Sequence, residues 1–467
     1  MFSVSKSVTA MAVGFAVAEG RLTVNARAVD LLPELRGAAS DETLEKLTVH
    51  HLLSMTAGKI PSPMADKSKN RWLADFAEAK WQYAPGEGWN YCNENCYVLC
   101  AILHKVCGES VTDYLMPRLF APLGIPRPFW ESDSNGVESG GWGLYLTTEA
   151  FAKLMLCCQQ GGVYDGKQVI PADWIGLATR KQAQSHGTDE HSHAGYGYCF
   201  WMNNEPGSYR ADGVFSQLGM VFPAQEAVVV TTGGEIFADR TMDCLARHLP
   251  GIFMEEGETP ETAPAHRALT LPPLPVLYQT PRNKALERKI EGRMIEFNQA
   301  PQAIPQLFGY PVSMMPLSVF FMSAEKAGHI NHARLRFQRD TLKFSWSEGK
   351  ERNTVLCGMD GKPRKCRILL GGIDFTVACT AAWEGSERLH VWIRPLESVA
   401  ERRLTFVFKG DLVRMLPRSS PSAARVGAYI SRFVGEMMPN PMIGQLMSNT
   451  LRKIAFVTEP MHFGVMK

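Results

Sequence analysis

No stretch of this sequence is both apolar enough and long enough to span a bilayer, so no membrane-spanning helix is expected. An excess of one charge is also missing. The chain of 467 residues carries 49 Lys and Arg against 47 Asp and Glu, a formal net charge of +2. No basic surplus points to nucleic acid, and no acidic block points to a disordered tail. The eleven cysteines are odd in number and scattered or at helical spacing. They form no disulfide framework of a short secreted chain, so they read as reduced thiols and imply a cytoplasmic location. Repeats of solenoid type are absent as well. What is present is ordinary globular material: 45% of residues are hydrophobic, enough for large buried cores, and the length suggests two or three domains.

The chain opens with "MFSVSKSVTAMAVGFAVAEG". Val4, Val8, Met11 and Phe15 recur on one helical face, which predicts a buried helix with Gly20 at its C-terminal end. The same run superficially matches a signal peptide ending in Ala16-Val17-Ala18, but it is rich in Ala and Gly and poor in Leu, which disfavours that reading. Further helices are expected over 47–58, ended by Gly58, and over 96–108, capped by Gly108. Another is expected over 147–162, with Thr147 or Thr148 at its N-cap. The segment 84–95 reads as a turn-rich loop. Strands follow over 194–203, 208–222 and 226–234, with a closing helix over 237–249. Helices with a late antiparallel meander suggest an α+β layer fold for the first 250 residues or so. The stretch 257–276, rich in Pro, Thr and Ala, reads as a linker. Short β runs at regular spacing from about 316 to 418 predict a small barrel or sandwich, and a helical tail follows.

Two short motifs carry chemistry. S-x-x-K occurs as Ser3–Lys6, Ser323–Lys326 and Ser347–Lys350. The last two fall among β runs, where that offset does not place both side chains on one face. On the first helix, Ser3 and Lys6 lie one turn apart, and a desolvated lysine with a lowered pKa can take the serine proton. Y-x-N occurs as Tyr91-Cys92-Asn93 in the 84–95 loop. A tyrosine titrates near ~10, and an ammonium beside it stabilises the phenolate, so Lys6 next to Tyr91 would let Tyr91 act as a general base. Asn93 would orient a substrate amide or hold Lys6. The plain alternative, a packed Tyr and a turn Asn, stands beside this reading because such motifs are common.

Taken together, these motifs and their surroundings resemble the serine β-lactamase and penicillin-binding protein superfamily. The segments that carry the likeness are "FSVSKSVTAMAVGFAVAEGRL", "LTVHHLLSMTAG", "PGEGWNYCNENCYVLCAIL", "LFAPLGI", "GGWGLYLTTEAFAKLML", "GGVYDGKQVIP" and "GYGYCFW", in family order over about residues 2–250. The branch looks like the class C-type serine hydrolases, with the 6-aminohexanoate-dimer hydrolase and esterase relatives. The resemblance implies an α+β architecture. A β-lactamase/transpeptidase-like domain, an antiparallel sheet flanked by helices plus a helical subdomain, would fill residues 1–255. A linker and connecting helix (256–315), a lipocalin-like all-β barrel or sandwich (316–418) and a helical tail (419–467) would follow.

It also implies Ser3 as nucleophile, Lys6 as proton acceptor or relay, Tyr91 as activator of Ser3 and then of water, and Asn93 as a positioning residue. The family's third motif, K-T-G or H-x-G, has a degraded counterpart. Ala211-Asp212-Gly213 occupies the slot without the basic first residue, and His193-Ala194-Gly195 lies too early in family order. The missing cation disfavours a carboxylate-bearing β-lactam and fits the esterase and amide-hydrolase branches better. Gly213 and Val214, on the cleft strand, would supply an oxyanion contact alongside the Ser3 N–H.

No metal and no organic cofactor is expected. Cys96, Cys100, His104 and Cys107 share one helical face, but ligands on one straight helix cannot surround a tetrahedral ion, so packing is the favoured reading. His186, His191 and His193 read as a solvated loop. In the resembling family, several dozen residues precede the nucleophile helix, so Met1 is expected to be an internal methionine of a longer protein. The expected partner is a small-molecule substrate, with no nucleic acid and no membrane span, and the oligomeric state is left open. The function expected is acyl transfer through an acyl-enzyme on a small ester, amide or β-lactam-like substrate. The rival is a non-catalytic binding or sensing protein that keeps the fold.

Overall fold

The computed structural model describes residues 1–38, 41–60, 71–186, 190–249, 252–253, 281–297, 330–422, 424–426, 428–429 and 461–467. The chain divides into two units, Met1–Pro250 and Gly251–Lys467.

In the first unit, helix α1 (Val4–Ala18) is buried on all sides: Ser5, Lys6, Ser7 and Thr9 are as enclosed as Val4, Val8 and Met11. Small residues allow this. A Cβ added at Gly14 would lie 2.3 Å from the Trp174 ring, so the helix approaches its neighbour as closely as a bare backbone permits. Polar groups on α1 find buried partners, as they must. Ser7 Oγ donates to the carbonyl of Cys199 at 2.6 Å and Thr9 Oγ1 to that of Gly140 at 3.0 Å. Gly20, at φ 69°, ends the helix as expected.

Helix α2 (Glu94–Cys107) packs across α1 and stops at Gly108, which takes the left-handed conformation expected of a helix-ending glycine. Helix α3 (Thr148–Gln159) is capped by Thr147, whose hydroxyl accepts the Ala150 N–H at 3.1 Å. One helical expectation is corrected. The segment 47–58 is helical only over Val49–Leu53, because the chain turns out at Ser54. Gly58 is needed further on, at φ 83°, where a Cβ would sit 2.2 Å from the Tyr83 carbonyl. A further helix, Trp72–Glu78, not among those expected, turns its apolar Trp72, Phe76 and Ala77 inward.

The sheet of this unit has strands β1 (Trp201–Met202), β2 (Tyr209–Gly213), β3 (Gln217–Phe222) and β4 (Ala227–Thr231), antiparallel and in sequential order. The single strand expected over 208–222 is two strands. Phe215 and Ser216 adopt positive φ (68° and 66°) and reverse the chain between them. Helix α3 packs on β3 and β4. At Gly219 a Cβ would be 2.4 Å from the Phe151 ring, so glycine permits this contact. The closing helix is Ala238–His248.

The second unit is a ten-stranded sheet. In chain order its strands are β5 (Met294–Phe297), β6 (Ile330–Phe337), β7 (Thr341–Glu348), β8 (Glu351–Gly358) and β9 (Arg364–Leu370). They continue as β10 (Ile373–Glu384), β11 (Arg388–Pro395), β12 (Glu401–Lys409), β13 (Leu412–Ser420) and β14 (His462–Met466). The spatial order is β8-β7-β6-β5-β14-β13-β12-β11-β10-β9, and a bridge between Gly358 and Thr380 brings the two ends together in a barrel-like closure. Burial alternates along the strands, as in Ile373–Glu384, so one face forms a core that includes Phe344, Phe375, Trp383 and Phe406. The β-rich region therefore extends beyond the expected 316–418. β5 joins from inside the expected linker region, and β14 joins from the end of the expected helical tail, pairing with β5 and β13. Both were hidden because each is short and separated from the regular run of strands. The linker stretch 257–276, the strand expected near 317–324, Ser323–Lys326 and most of the tail lie outside the described residues.

Candidate active site

Ser3 sits at the N-cap of α1 with αR backbone angles, and its side chain does not cap the helix. The residue before it, Phe2, takes φ 50°, a strained conformation for a side-chain-bearing residue, costing on the order of 1–3 kcal/mol. A ring contact between Phe2 and Phe215, 5.0 Å between centroids, ties this bend to the β2–β3 turn. Gly213, at the end of β2, lies against the same bend. A Cβ there would be 3.2 Å from the Ser3 nitrogen and 2.4 Å from the Met1 carbonyl oxygen. Val214 follows in the turn and is half-buried. The end of β2 therefore lies beside Ser3.

One turn on, Lys6 is 1% exposed. Its ammonium donates to Ser3 Oγ at 2.9 Å, Asn93 Oδ1 at 2.6 Å and the Gly141 carbonyl at 2.7 Å. Burial lowers its pKa to about 8. A charged lysine has three protons to give and a neutral one has two. Asn93 Oδ1 and the Gly141 carbonyl can only accept. When Lys6 is neutral, Ser3 is therefore the partner that can turn round and donate its hydroxyl proton to Nζ. The geometry thus allows the Ser3 proton to pass to a neutral Lys6.

Asn93 stands at the N-cap of α2, where an asparagine oxygen ordinarily holds the helix's first N–H groups. It makes no capping bond here and serves Lys6 instead, forgoing about 1 kcal/mol of helix stabilisation. Gly141 reaches Lys6 because its loop lies on the start of α2: Cβ atoms at Gly140 and Gly141 would fall 2.3 Å from the Cys96 carbonyl oxygen and 2.8 Å from that of Asn93.

The Ser3 hydroxyl is near enough to the Tyr91 phenol to influence its titration. The Lys6 ammonium lies 4.7 Å from the centre of its ring. The expectation that this lysine would favour the phenolate is corrected. Burial pushes the Tyr91 phenol well above its ordinary range, against the smaller opposing effect of the nearby Ser3 hydroxyl. Tyr91 is thus a neutral phenol, able to donate to or relay through the Ser3 oxygen. It belongs to a cluster of rings. Trp201 stacks on it at 5.6 Å and 25°, and Trp89 and Tyr196 approach it at 6.3 Å each.

At the third-motif slot, Ala211 is fully buried and offers no charge. The neighbouring cation, Arg210, is 2% exposed and committed elsewhere. It donates to Asp212 at 2.8 Å, to the carbonyls of His191 and Met202 at 3.1 and 3.2 Å, and to Asn203 Oδ1 at 3.0 Å. His193-Ala194-Gly195 lies before β1, outside this constellation.

Sequence reasoning missed the Gly141 carbonyl and the tryptophans. The glycine doublet Gly140-Gly141 was the available signal for the first, since adjacent glycines often mark close backbone approach. The ring cluster had no local signal, because Trp89 and Trp201 are far apart in the chain. Among the other weighed groups, Cys96 points to Cys199 (Sγ to Sγ 3.8 Å) and Cys100 to Thr9. No cysteine is in a disulfide. His191 bonds Asp243 at 2.9 Å, and with Glu190 these are the described residues whose ligand atoms gather within 4.8 Å. His186 and His193 are not part of that group. Ser347 shares a hydrogen bond with His332, across the strands of the second unit.

Residues 1–233 match the family model described as Beta-lactamase. The chain is 27% identical over 325 residues to penicillin-binding protein 4 of Amycolatopsis lactamdurans, covering 59% of this chain and 83% of that protein. It is 24% identical over 253 residues to the 6-aminohexanoate-dimer hydrolase of Paenarthrobacter ureafaciens, covering 49% and 64% respectively. It is 28% identical over 141 residues to esterase EstB of Burkholderia gladioli, covering 26% and 36%. The match thus spans less than two thirds of the hydrolase and about a third of the esterase. Among the described residues, no helix is long and apolar enough to cross a membrane.

Proposed function

Because residues 1–233 belong to the beta-lactamase family, we propose that the chain is a serine hydrolase that forms an acyl-enzyme on a small, uncharged ester or amide. The observation that carries this is the three-way hold on Lys6, in which Ser3 is the partner able to return a proton. In acylation, Ser3 Oγ attacks the substrate carbonyl carbon as its proton passes to neutral Lys6. The carbonyl electrons move onto oxygen, held by the Ser3 N–H and a backbone N–H at Gly213 or Val214. The bond to the leaving atom then breaks, that atom takes the Tyr91 phenol proton, and Lys6 restores the phenol. In deacylation a water attacks the ester of Ser3, its proton goes to the same Tyr91–Lys6 pair, and Ser3 leaves with a proton returned. The steps use only side chains and water.

Substrate charge follows from the cations. Lys6 is engaged by Ser3, Asn93 and Gly141, Arg210 by Asp212 and backbone, and Ala211 supplies none. Nothing in this set is offered to a substrate carboxylate, which favours esters and simple amides over carboxylated β-lactams. Of the relatives' names, esterase and 6-aminohexanoate-dimer hydrolase fit that range, whereas penicillin-binding protein points to the carboxylated class. The unbridged cysteines support a reducing, cytoplasmic setting.

A second reading is a binding protein that no longer turns over, favoured by the uncharged Ala211 at the third-motif slot. Intact-mass labelling separates the two. The chain and Ser3→Ala are treated with a fluorophosphonate and with a penicillin. A single fluorophosphonate adduct that Ser3→Ala abolishes is expected. No adduct on a folded chain would transfer the case to the binding protein.

A further inference from the structure

The aromatic cluster beside the nucleophile has a use that the proton chemistry leaves open. Trp201 stacks on Tyr91, Trp89 meets Trp201 at 5.6 Å, and Tyr196 closes the group edge-on against Trp201 at 5.0 Å. Tyr196 is buried, whereas Trp89, Tyr91 and Trp201 all keep part of their surface open. Half-open indoles in a group are costly to leave against water and are efficient at holding flat apolar groups.

Position decides which part of a substrate meets them. The Tyr91 ring and Ser3 flank the same Lys6 ammonium, at 4.7 Å from the ring centre and 2.9 Å from Ser3 Oγ, and in the mechanism above the Tyr91 hydroxyl delivers a proton to the leaving atom. That atom must therefore come within hydrogen-bond reach of Tyr91. Whatever it carries then lies next to the rings that flank Tyr91, which are Trp201 and Trp89. Charge narrows the choice again. The cations over these rings, Lys6 at 4.7 Å from Tyr91 and Arg210 at 5.6 Å from Trp201, are already bonded to protein acceptors. They offer no strong hold on an acidic leaving group.

We propose that Trp201 and Trp89 form a leaving-group subsite that selects esters or amides of flat, uncharged aromatic alcohols or amines. This rests on the serine-hydrolase reading and sharpens its substrate class. Trp201 is a specificity-determining residue through its exposed indole surface, and the proton-transfer groups remain Lys6 and Tyr91.

The test uses the full chain and a pair of esters with one acyl group, benzyl acetate and methyl acetate, followed by acid release. Their alcohols are of similar acidity, so the ratio of kcat/KM values reports recognition of the ring. A preference for the benzyl ester of about 10-fold or more is expected, the scale set by burying one ring against an aromatic face. In Trp201→Ala that ratio is expected to fall toward one, and Trp201→Phe should keep most of it. Using the ratio removes any loss common to both esters, such as a displaced Tyr91 or a less stable fold. Equal rates for the two esters, or a benzyl preference unchanged in Trp201→Ala, would overturn the subsite. If Ser3 takes a fluorophosphonate but neither ester is hydrolysed, the subsite falls and the nucleophile stands. If Ser3 takes no adduct at all, both fall.

Discussion

At the scale of single residues, the proposed base Lys6 carries a stability penalty. Its folded pKa of about 8 lies below the value of 10.5 for a free lysine. Between those values the unfolded chain still holds the proton and the folded chain has released it, so stability rises with pH through that window. Below it, the buried charge costs roughly 3 kcal/mol, by the usual conversion of pKa difference to free energy. Urea unfolding of the wild type and Lys6→Met should show this. The wild type is predicted to gain up to about 3 kcal/mol on the variant between pH 7 and pH 10.5. A gap that does not move with pH would show that Lys6 is not desolvated. The same proton governs chemistry with the same sign: neutral Lys6 is the base, so the rate of fluorophosphonate labelling at Ser3 should climb with pH and level off above about 8. Tyr91→Phe keeps the stack on Trp201 and removes the hydroxyl. It should lower kcat by roughly 10²–10⁴-fold with little change in KM, measured by steady-state kinetics on an activated ester. Ser3 and Lys6 were legible from their spacing on one helix, and Tyr91 and Asn93 from theirs in a loop. The protonation state of Tyr91 was not. It depends on burial of the phenol, and the rings of Trp89, Tyr196 and Trp201 come within 6.3 Å of its ring only in the folded chain.

At the scale of elements, glycines set how closely the pieces of the site approach. Gly14 lets α1 meet Trp174, and an alanine there would overlap its ring. Gly14→Ala should cost about 1–3 kcal/mol in chemical unfolding, the usual range for overpacking a core. Gly213 is different, because its missing side chain leaves room beside the Ser3 nitrogen and the Met1 carbonyl. Gly213→Ala is predicted to crowd the oxyanion position and lower kcat by about 10²-fold or more, with a smaller effect on KM. An unchanged kcat would remove the β2 end from the oxyanion site. The helix α1 illustrates the limits of periodicity. Its apolar positions predicted one buried face, but Ser5, Ser7 and Thr9 are buried as well, satisfied by bonds to loops distant in sequence. The strand over 208–222 was legible as β but not as two strands, since the reversal depends on Phe215 and Ser216 adopting positive φ, which their side chains disfavour.

At the scale of the whole molecule, the two units have separate cores, and the second has its own buried polar anchor. Glu287, buried, accepts hydrogen bonds from Arg282 at 2.7 and 2.8 Å and from Trp383 Nε1 at 3.0 Å. Glu287→Ala leaves the indole without its acceptor and Arg282 with only the Gln338 and Arg339 carbonyls, and a cost of about 1–3 kcal/mol is expected. Calorimetry should show a transition shifted down while the labelling rate of Ser3 at 25 °C stays unchanged. A matching drop in labelling would mean that the units unfold as one. By itself the sequence determined the family, several of the helices of the first unit, and the candidate serine, lysine and tyrosine, because each is written in spacing or periodicity over a few turns. Tertiary structure alone decided that Gly141 completes the hold on Lys6, that burial raises the Tyr91 phenol, and that Arg210 is spent on Asp212. It also decided that β5 and β14 enter the barrel-like sheet from far apart in the chain. The physical reason is the same in each case. Hydrogen bonds, desolvation and strand pairing depend on distance in space, and these partners are brought together only when the cores close around them.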